Sequence, residues 1–524
     1  MQGTPLNFGQ DIVDTWAQKD PASTALYVIN QDGHSTAWSF GQIREISNRT
    51  AWWLKTQGIG MGDRVLVVLG KDPSFWPVMV ALNKLGAVPM PGTTQLTTKD
   101  LWYRLDTASA TRAIVLPFVA DRINEALRSP LEAPIVIGKS SDRWISLDPF
   151  TLPGSVEDLP RVTGAHDPAL IYFTSGTTGY PKMVLHDQSY PFAHRITAEY
   201  WLGLTHQDLH WNVSDTGWAK AAWSSLFGPW VAGAGIVVDP MTGKFSASDL
   251  LKILQNHPIT SMCAPPTVYR LLIQEPLAEL TTRPLRSVAG AGEPLNPEVI
   301  SAFSQATGLT IRDGYGQTET VLLVGNAPGT PVKPGSMGIP APDFEMDIID
   351  SDGLPLAPGQ EGDIAIKTLP HRPAGLFVEY LGDPEGTKSR MIGNYYITGD
   401  RAYKDEDGYF WFMGRADDVI ISSGYRIGPF EVESLLIEHP AVIEAAVVSS
   451  PDPIRGEIVK AFVVLKPGIV GDEALIGELQ EHVKTATAPY KYPRRIEFVS
   501  DLPKTISGKI RRVELRQREW ADPQ

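Results

Sequence analysis

One stretch constrains this chain more than any other. Ile171-Tyr172-Phe173 runs directly into Thr174-Ser175-Gly176-Thr177-Thr178-Gly179-Tyr180-Pro181-Lys182, and apolar character resumes at Met183-Val184-Leu185. Apolar, β-prone runs on either side of a hydroxyl- and glycine-rich loop predict strand, phosphate-sized loop, strand. Gly176 and Gly179 let the backbone take positive φ and come close to a ligand. Successive N–H groups in such a loop form an anion-binding concavity. Ser175, Thr177 and Thr178 add hydroxyl donors, Pro181 stiffens the exit, and Lys182 adds a compact positive charge. The loop is not a Walker A motif. The nearest match ends in Gly138-Lys139-Ser140, where Ala133 holds the place of the first glycine.

A chain of 524 residues is long enough for several domains, or for one large and one small. Hydrophobic content of 43% against 20% charged residues supplies large cores and argues against disorder. A net charge of −14 speaks against a nucleic-acid surface, which needs a basic footprint. It leaves room for phosphate ligands held by local loops and single cations. The single cysteine, Cys263, excludes a disulfide framework or cysteine zinc cluster within one chain, and its apolar neighbours predict a buried structural thiol. No run is long and apolar enough to span a membrane. Neither a basic leader at Met1 to Asp20 nor a peroxisomal C-terminus is seen, so the expected location is cytoplasmic.

Before the loop, Ser39 to Gln57 has helical apolar spacing (Phe40, Ile43, Ile46, Ala51, Leu54), and Phe75 to Leu85 reads as a second helix. Val65 to Leu69, Ala87 to Pro91, Ala113 to Leu116 and Pro134 to Gly138 read as strands. This alternation predicts an α/β fold of layered, parallel-rich sheets with helices. After the loop, Asp208 to Trp230 carries Trp211, Trp218, Trp223 and Trp230, most of which read as core. Ser287 to Leu295 is a strand ending in small residues, Gly290 and Ala291 among them; a tight turn or a ligand contact explains them equally well. Asp313-Gly314-Tyr315-Gly316-Gln317-Thr318-Glu319-Thr320 offers an aromatic face, glycine backbone and hydroxyls. Glu319 is its best magnesium ligand, since Mg²⁺ takes oxygen donors. Tyr395 to Asp400 puts an acid at a predicted strand end. Strand character from Tyr409 breaks at Gly414-Arg415-Ala416-Asp417.

The last fifth of the chain reads as a small α+β unit. Its strands are expected at 419–422, 442–449, 459–465 and 495–499, and its helices at 429–438 and 475–485. A glycine-containing loop, Ser422 to Gly428, precedes the first helix, and Lys491, Arg494 and Arg495 form a basic cluster in an acidic chain. Pro503-Lys504-Thr505-Ile506-Ser507-Gly508-Lys509 closes the unit.

These motifs, in this order and across nearly the whole chain, resemble those of the adenylate-forming superfamily, above all its medium-chain acyl-CoA synthetases. The resemblance implies a large N-terminal domain, 1–416, that binds ATP and the acyl group, and a small mobile lid, 417–524, that turns about the hinge Asp417. It implies ATP contacts at Thr174 to Lys182, at Asp313, Gly314, Tyr315, Gly316, Gln317 and Thr318, at Asp400 for the ribose, and at Arg415. Mg²⁺ falls to Glu319. Lys509 catalyses adenylation, with Thr318 and Lys182. Trp218, Gly290, Ala291, Thr318 and Arg426 border the acyl group. CoA falls to Gln95, Ser423, Gly424, Tyr425, Arg455, Tyr492, Pro493 and Arg494. The implied reaction joins a carboxylate to the α-phosphate of ATP, releasing pyrophosphate, and then passes the acyl group to the CoA thiol. Transfer to a carrier-protein thiol and a non-catalytic nucleotide-binding relative stay open as alternatives. So does the acid: medium straight-chain, short branched or benzoate-like. The segment Ala219-Lys220-Ala221-Ala222-Trp223 is smaller and more polar than the group's pattern.

Overall fold

The apolar runs ahead of the glycine loop become a five-stranded parallel sheet in the order Val88–Pro91, Arg64–Val68, Arg112–Val115, Ala133–Ile137, Ile145–Leu147. The structure, a computed structural model, describes residues 5–521 except 127–129, 140–142, 175–179, 240–245, 423–424, 454 and 505–508. The helix Phe40–Thr56 starts from a reciprocal cap between Ser39 and Gln42. Phe75–Leu85 is buried along its whole length and stops at Gly86, which takes the left-handed conformation.

A second, nine-stranded sheet carries most of the site. Its centre is six parallel strands in the order Arg312–Tyr315, Ser287–Ala291, Ser261–Ala264, Leu209–Asn212, Gly235–Val238, Thr24–Ile29. Antiparallel strands cover both edges. Gly290, Ala291 and the segment Asp313 to Tyr315 thus sit at carboxyl ends of adjacent parallel strands, where open α/β sheets bind ligands. Cys263 lies in a central strand and is fully buried, as expected.

Two antiparallel sheets complete the first part of the chain. Pro168–Thr174 pairs with Lys182–Asp187, which pairs in turn with Glu379–Tyr380. Met346–Ile349, Gly362–Lys367, Tyr395–Lys404 and Phe410–Arg415 form the other. From Ile420 on, a separate sheet is built from Tyr425–Ile427, Ile420–Ser422, Gly456–Leu465, Val442–Asp452 and Arg495–Phe498. The two hydrophobic cores of this region contain no residue before Ile420.

Several local expectations need correction. Asp400 lies inside the ten-residue strand Tyr395–Lys404 rather than at its end. The register slips beside it and Gly399 has φ +79°, so a bulge gives the acid the freedom expected of a strand end. Asp313 to Tyr315 is strand rather than loop, and Tyr425–Ile427 is a strand where only a loop was expected. The helix Arg512–Ala521 was not foreseen at all: its charged sequence shows no strong apolar period, yet Leu515 packs with Phe462 and Leu502.

Candidate active site

The glycine loop is the connection of an antiparallel hairpin in which Thr174 faces Lys182. Ser175, Gly176, Thr177, Thr178 and Gly179 lie outside the described residues. Beyond them, Tyr180 is exposed and stacks on Tyr103, whose hydroxyl donates to the Pro181 carbonyl. Lys182 points to two groups that the sequence reading missed. It pairs with Asp383 at 2.9 Å, and its Nζ lies 4.6 Å from the centre of the Tyr380 ring.

Tyr380 connects this loop to the second motif. Its hydroxyl donates to Glu319 Oε1 at 2.7 Å, and the Phe377 N–H donates to the Glu319 carbonyl at 2.7 Å. Burial raises the Glu319 pKa, against the hydrogen bond from Tyr380. No cluster of three or more His, Cys, Asp or Glu groups suited to a metal ion occurs among the described residues. A lone carboxylate fits Mg²⁺ well, because this ion keeps several waters and takes the rest of its shell from substrate phosphates. It does not fit zinc, which wants three or four protein ligands.

Next to Glu319, the Tyr315 hydroxyl donates to Asp400 Oδ2 at 2.6 Å and Gln317 Nε2 donates to the same oxygen at 2.7 Å. Burial raises the Asp400 pKa, opposed by Arg415 across the strand pair and by these two donors. Burial works against the Arg415 charge, but Asp400, Asp417 and Asp418 outweigh it and raise its pKa. Asp313 is buried, and burial lifts its carboxyl to about 8, so it is neutral at pH 7. Lys509 approaches from the C-terminal unit. Its Cε lies 4.0 Å from where a Cβ on Gly292 would stand. Its side chain still meets solvent, yet the protein mass around the ammonium lowers its pKa, with Glu293 and Asp400 pulling the other way.

The two glycines of the second motif are there for packing. A Cβ at Gly314 would stand 2.4 Å from the Trp201 ring, and one at Gly316 2.3 Å from Trp223. The glycine before Trp218 has the same logic with a harder neighbour: a Cβ at Gly217 would fall 2.1 Å from the Thr93 nitrogen. That crossing brings the Trp218 segment against the loop of Gln95, which is exposed.

Of the acyl candidates, Trp218 is half-buried, whereas Trp211, Trp223 and Trp230 are core. Gly290 departs from the acyl-bordering role implied above: its missing side chain would point at Ile311, Leu295 and Tyr269, into the core. Ala291 is buried, and its carbonyl accepts from Lys220 Nζ at 3.0 Å. Lys220 was noticed in the sequence only as a departure. It is half-buried near Cys263, Glu293, Lys509 and Asp313, and burial lowers its pKa. Arg426 sits on the strand Tyr425–Ile427 opposite Ile421.

Ser423 and Gly424 lie outside the described residues. Tyr425 stacks on Tyr490 with ring centres 4.2 Å apart. Arg494 donates to the Tyr492 hydroxyl at 2.9 Å, Lys484 lies over the same ring, and the Pro493 carbonyl accepts from Gln480. Arg455 is exposed, beside Asp452, to which its N–H donates. Asp417 lies in the turn between Phe410–Arg415 and Ile420–Ser422. Its carboxylate faces Arg415 at 3.4 Å, and its carbonyl accepts from Arg516 of the unforeseen helix at 2.7 Å.

Two family models match this chain: AMP-binding enzyme over residues 13–371 and AMP-binding enzyme C-terminal domain over 431–509. The chain belongs to the AMP-binding enzyme family. It is 48% identical to mitochondrial acyl-coenzyme A synthetase ACSM3 of Pongo abelii over 98% of this chain and 90% of that protein. Among solved structures it resembles an acyl-CoA synthetase of Brucella canis, with 35% identity, TM-score 0.76 and coverage of 100% and 96%. An anthranilate CoA ligase, AuaEII, in complex with anthranoyl-AMP aligns with TM-score 0.87 and 30% identity over 98% of each chain.

Proposed function

We propose that this chain is an ATP-dependent acyl-CoA synthetase. A carboxylic acid attacks the α-phosphate of ATP to give acyl-AMP and pyrophosphate, and the CoA thiol then displaces AMP. The observation that carries this reading is the meeting, at carboxyl ends of parallel strands, of groups drawn from far apart in the sequence. Asp400 is held by Tyr315 and Gln317, Glu319 by Tyr380, and Arg415 and Lys509 supply positive charge beside them. Phosphoryl-type transfers rest on positioning and charge neutralisation, which this set of groups supplies.

In this reading Asp400 takes the ribose hydroxyls, Tyr315 and the neighbouring backbone take the adenine, and Glu319 would hold Mg²⁺, which would supply positive charge against the phosphates. Lys182, Thr318 and Lys509 neutralise charge as the α-phosphate is attacked. The boundary lies between 416 and 417, and rotation about Asp417 exchanges Lys509 for the CoA residues. The independent cores after Ile420 support a unit that can turn as a body. The acid is of medium length or a related branched or aromatic acid. The ACSM3 relative is named as a mitochondrial protein; for this chain we propose the cytoplasmic location expected above, checked by fractionating cells that express it.

The test is a pyrophosphate-release assay over straight-chain, branched and aromatic carboxylates, followed by thioester formation with free CoA and with a carrier protein. Release with a matching acid and transfer to free CoA support the reading. ATP binding without release from any acid points to a non-catalytic relative, and transfer to the carrier alone points to a carrier-loading enzyme.

A further inference from the structure

The strand Lys182–Asp187 carries the phosphate-loop lysine at one end and His186 near the other, and His186 has no part in the site as read above. Its Nε2 lies 2.8 Å from the carbonyl oxygen of Thr318. A carbonyl only accepts, so Nε2 carries the proton and donates. The other ring nitrogen, Nδ1, is buried with no hydrogen-bond partner among the described residues. A bare lone pair is tolerated there, whereas a second N–H would be stranded. The same tautomer therefore follows from both nitrogens. The ring is wholly buried and stacks on Tyr190 with centres 3.7 Å apart.

The Thr318 carbonyl belongs to the peptide plane that joins the two residues read as the phosphate contact and the metal ligand. The next carbonyl, of Glu319, is held by Phe377, and the Glu319 carboxylate by Tyr380. Tyr380 pairs with Val184 on the strand of His186. One three-stranded ribbon thus borders the phosphate loop and, through His186 and Tyr380, holds both the Thr318 carbonyl and the Glu319 carboxylate.

We propose that His186 is a positioning residue for acyl-adenylate formation: its Nε2–H fixes the Thr318–Glu319 peptide so that the Thr318 hydroxyl and the Glu319 carboxylate meet the α-phosphate and its metal. This rests on the adenylating role given above to those two residues. Stacking alone does not account for a histidine, because phenylalanine would stack on Tyr190 as well. Only a donor reaches Thr318.

The test compares His186→Phe, which keeps a ring and loses the donor, with His186→Gln, which restores an N–H. Pyrophosphate release is measured with octanoate, benzoate and isobutyrate and scored on the acid the wild type activates best. Octanoyl-AMP with CoA gives the second half-reaction alone. Misplacing a catalytic constellation by a fraction of an ångström to an ångström costs up to about a hundredfold, so the phenylalanine variant is expected to lose roughly ten- to a hundredfold in kcat for pyrophosphate release. Its rate from supplied acyl-AMP falls by a clearly smaller factor than pyrophosphate release, and glutamine recovers most of the first step. Three results overturn the proposal: a phenylalanine variant at the wild-type rate, a glutamine variant as slow as phenylalanine, or both half-reactions falling together with Tm. If the phenylalanine variant does not fold, ¹⁵N imidazole spectra of the wild-type chain, assigned by the signal lost in the glutamine variant, decide. A protonated Nε2 and a bare Nδ1 at neutral pH support the proposal, and the reverse tautomer refutes it. A wild type that releases no pyrophosphate from any acid while showing that tautomer refutes the adenylation reading and with it this role, and leaves the hydrogen bond as architecture.

Discussion

Replacing Gly316 by alanine probes how tightly the nucleotide motif is fixed by the core beneath it. A Cβ at this position would stand 2.3 Å from Trp223 Cη2, 2.8 Å from its Cζ2 and 2.6 Å from the Val321 carbonyl oxygen. Ordinary carbon contacts lie at about 3.5–4.0 Å, so the overlap on the indole side is about an ångström. Trp223 has little room to yield: it is 5% exposed and packs edge-on against the Trp201 ring. Val321 is held by its own N–H bond to the Gly375 carbonyl. The loop itself must therefore shift, and overpacking of this kind costs about 1–3 kcal/mol. The shift falls between Tyr315 and Gln317, whose two hydrogen bonds fix Asp400. If half or more of that cost appears in ATP binding, KM for ATP rises several-fold to roughly tenfold or more, since 1.4 kcal/mol is a factor of ten. Trp223→Phe removes the offending ring edge and alone costs roughly 1–3 kcal/mol through the space it leaves. In the double variant the new methyl fills part of that space, and the two costs should fall short of additivity by at least about 0.5 kcal/mol. Urea denaturation of the four proteins, with KM for ATP from pyrophosphate release, measures the cycle. Strict additivity, or a Gly316→Ala protein with wild-type stability and KM, refutes the packing argument.

Lys509→Ala should abolish acyl-AMP formation yet spare thioester formation from supplied acyl-AMP; equal loss of both half-reactions sinks the domain-rotation account of this lysine. Asp417→Pro should lock φ at the turn, so that pyrophosphate release survives better than thioester formation; two near-normal rates would show that the pivot lies elsewhere. Trp218→Ala should fold with a modest shift in Tm, because the side chain is half-buried, and should move the ratio of kcat/KM for a long and a short acid; an unchanged ratio removes Trp218 from the substrate site. Asp313 makes a prediction in pH. Burial raises its carboxyl from the ordinary 3.8 to about 8, so between those values the folded state keeps a proton that the unfolded state releases. Its contribution to stability is complete below the ordinary value, falls by up to about 1.4 kcal/mol per pH unit as pH rises, and is lost above about 8. Asp313→Asn cannot titrate, so its denaturation midpoint should fall less between pH 5 and 8 than that of the wild type; parallel curves would refute the buried, neutral acid.

What could be read in the sequence was local. Period and punctuation located the helix Phe75–Leu85 and the strands around the glycine loop, since apolar spacing and glycine act within a few residues. Motif order across the chain indicated the family and named Tyr315, Glu319, Asp400, Arg415 and Lys509 as candidates. The spacing could not reveal their partners. Tyr380, Asp383, His186 and Lys220 stand in no motif, and they reach the site only because strand pairing and packing bring distant segments together. His186 and Thr318 are 132 residues apart in the sequence and 2.8 Å apart in space.

The same division explains the glycines. The sequence by itself placed Gly314 and Gly316 on either side of Tyr315, which suggested backbone open to a ligand, and gave no reason for Gly217. Only the tertiary structure decided what fills that space: a crossing backbone at Thr93 and the rings of Trp201 and Trp223. A missing side chain records only that something comes close. What comes close is set by contacts between segments far apart in the chain, and those exist only once the sheets have packed.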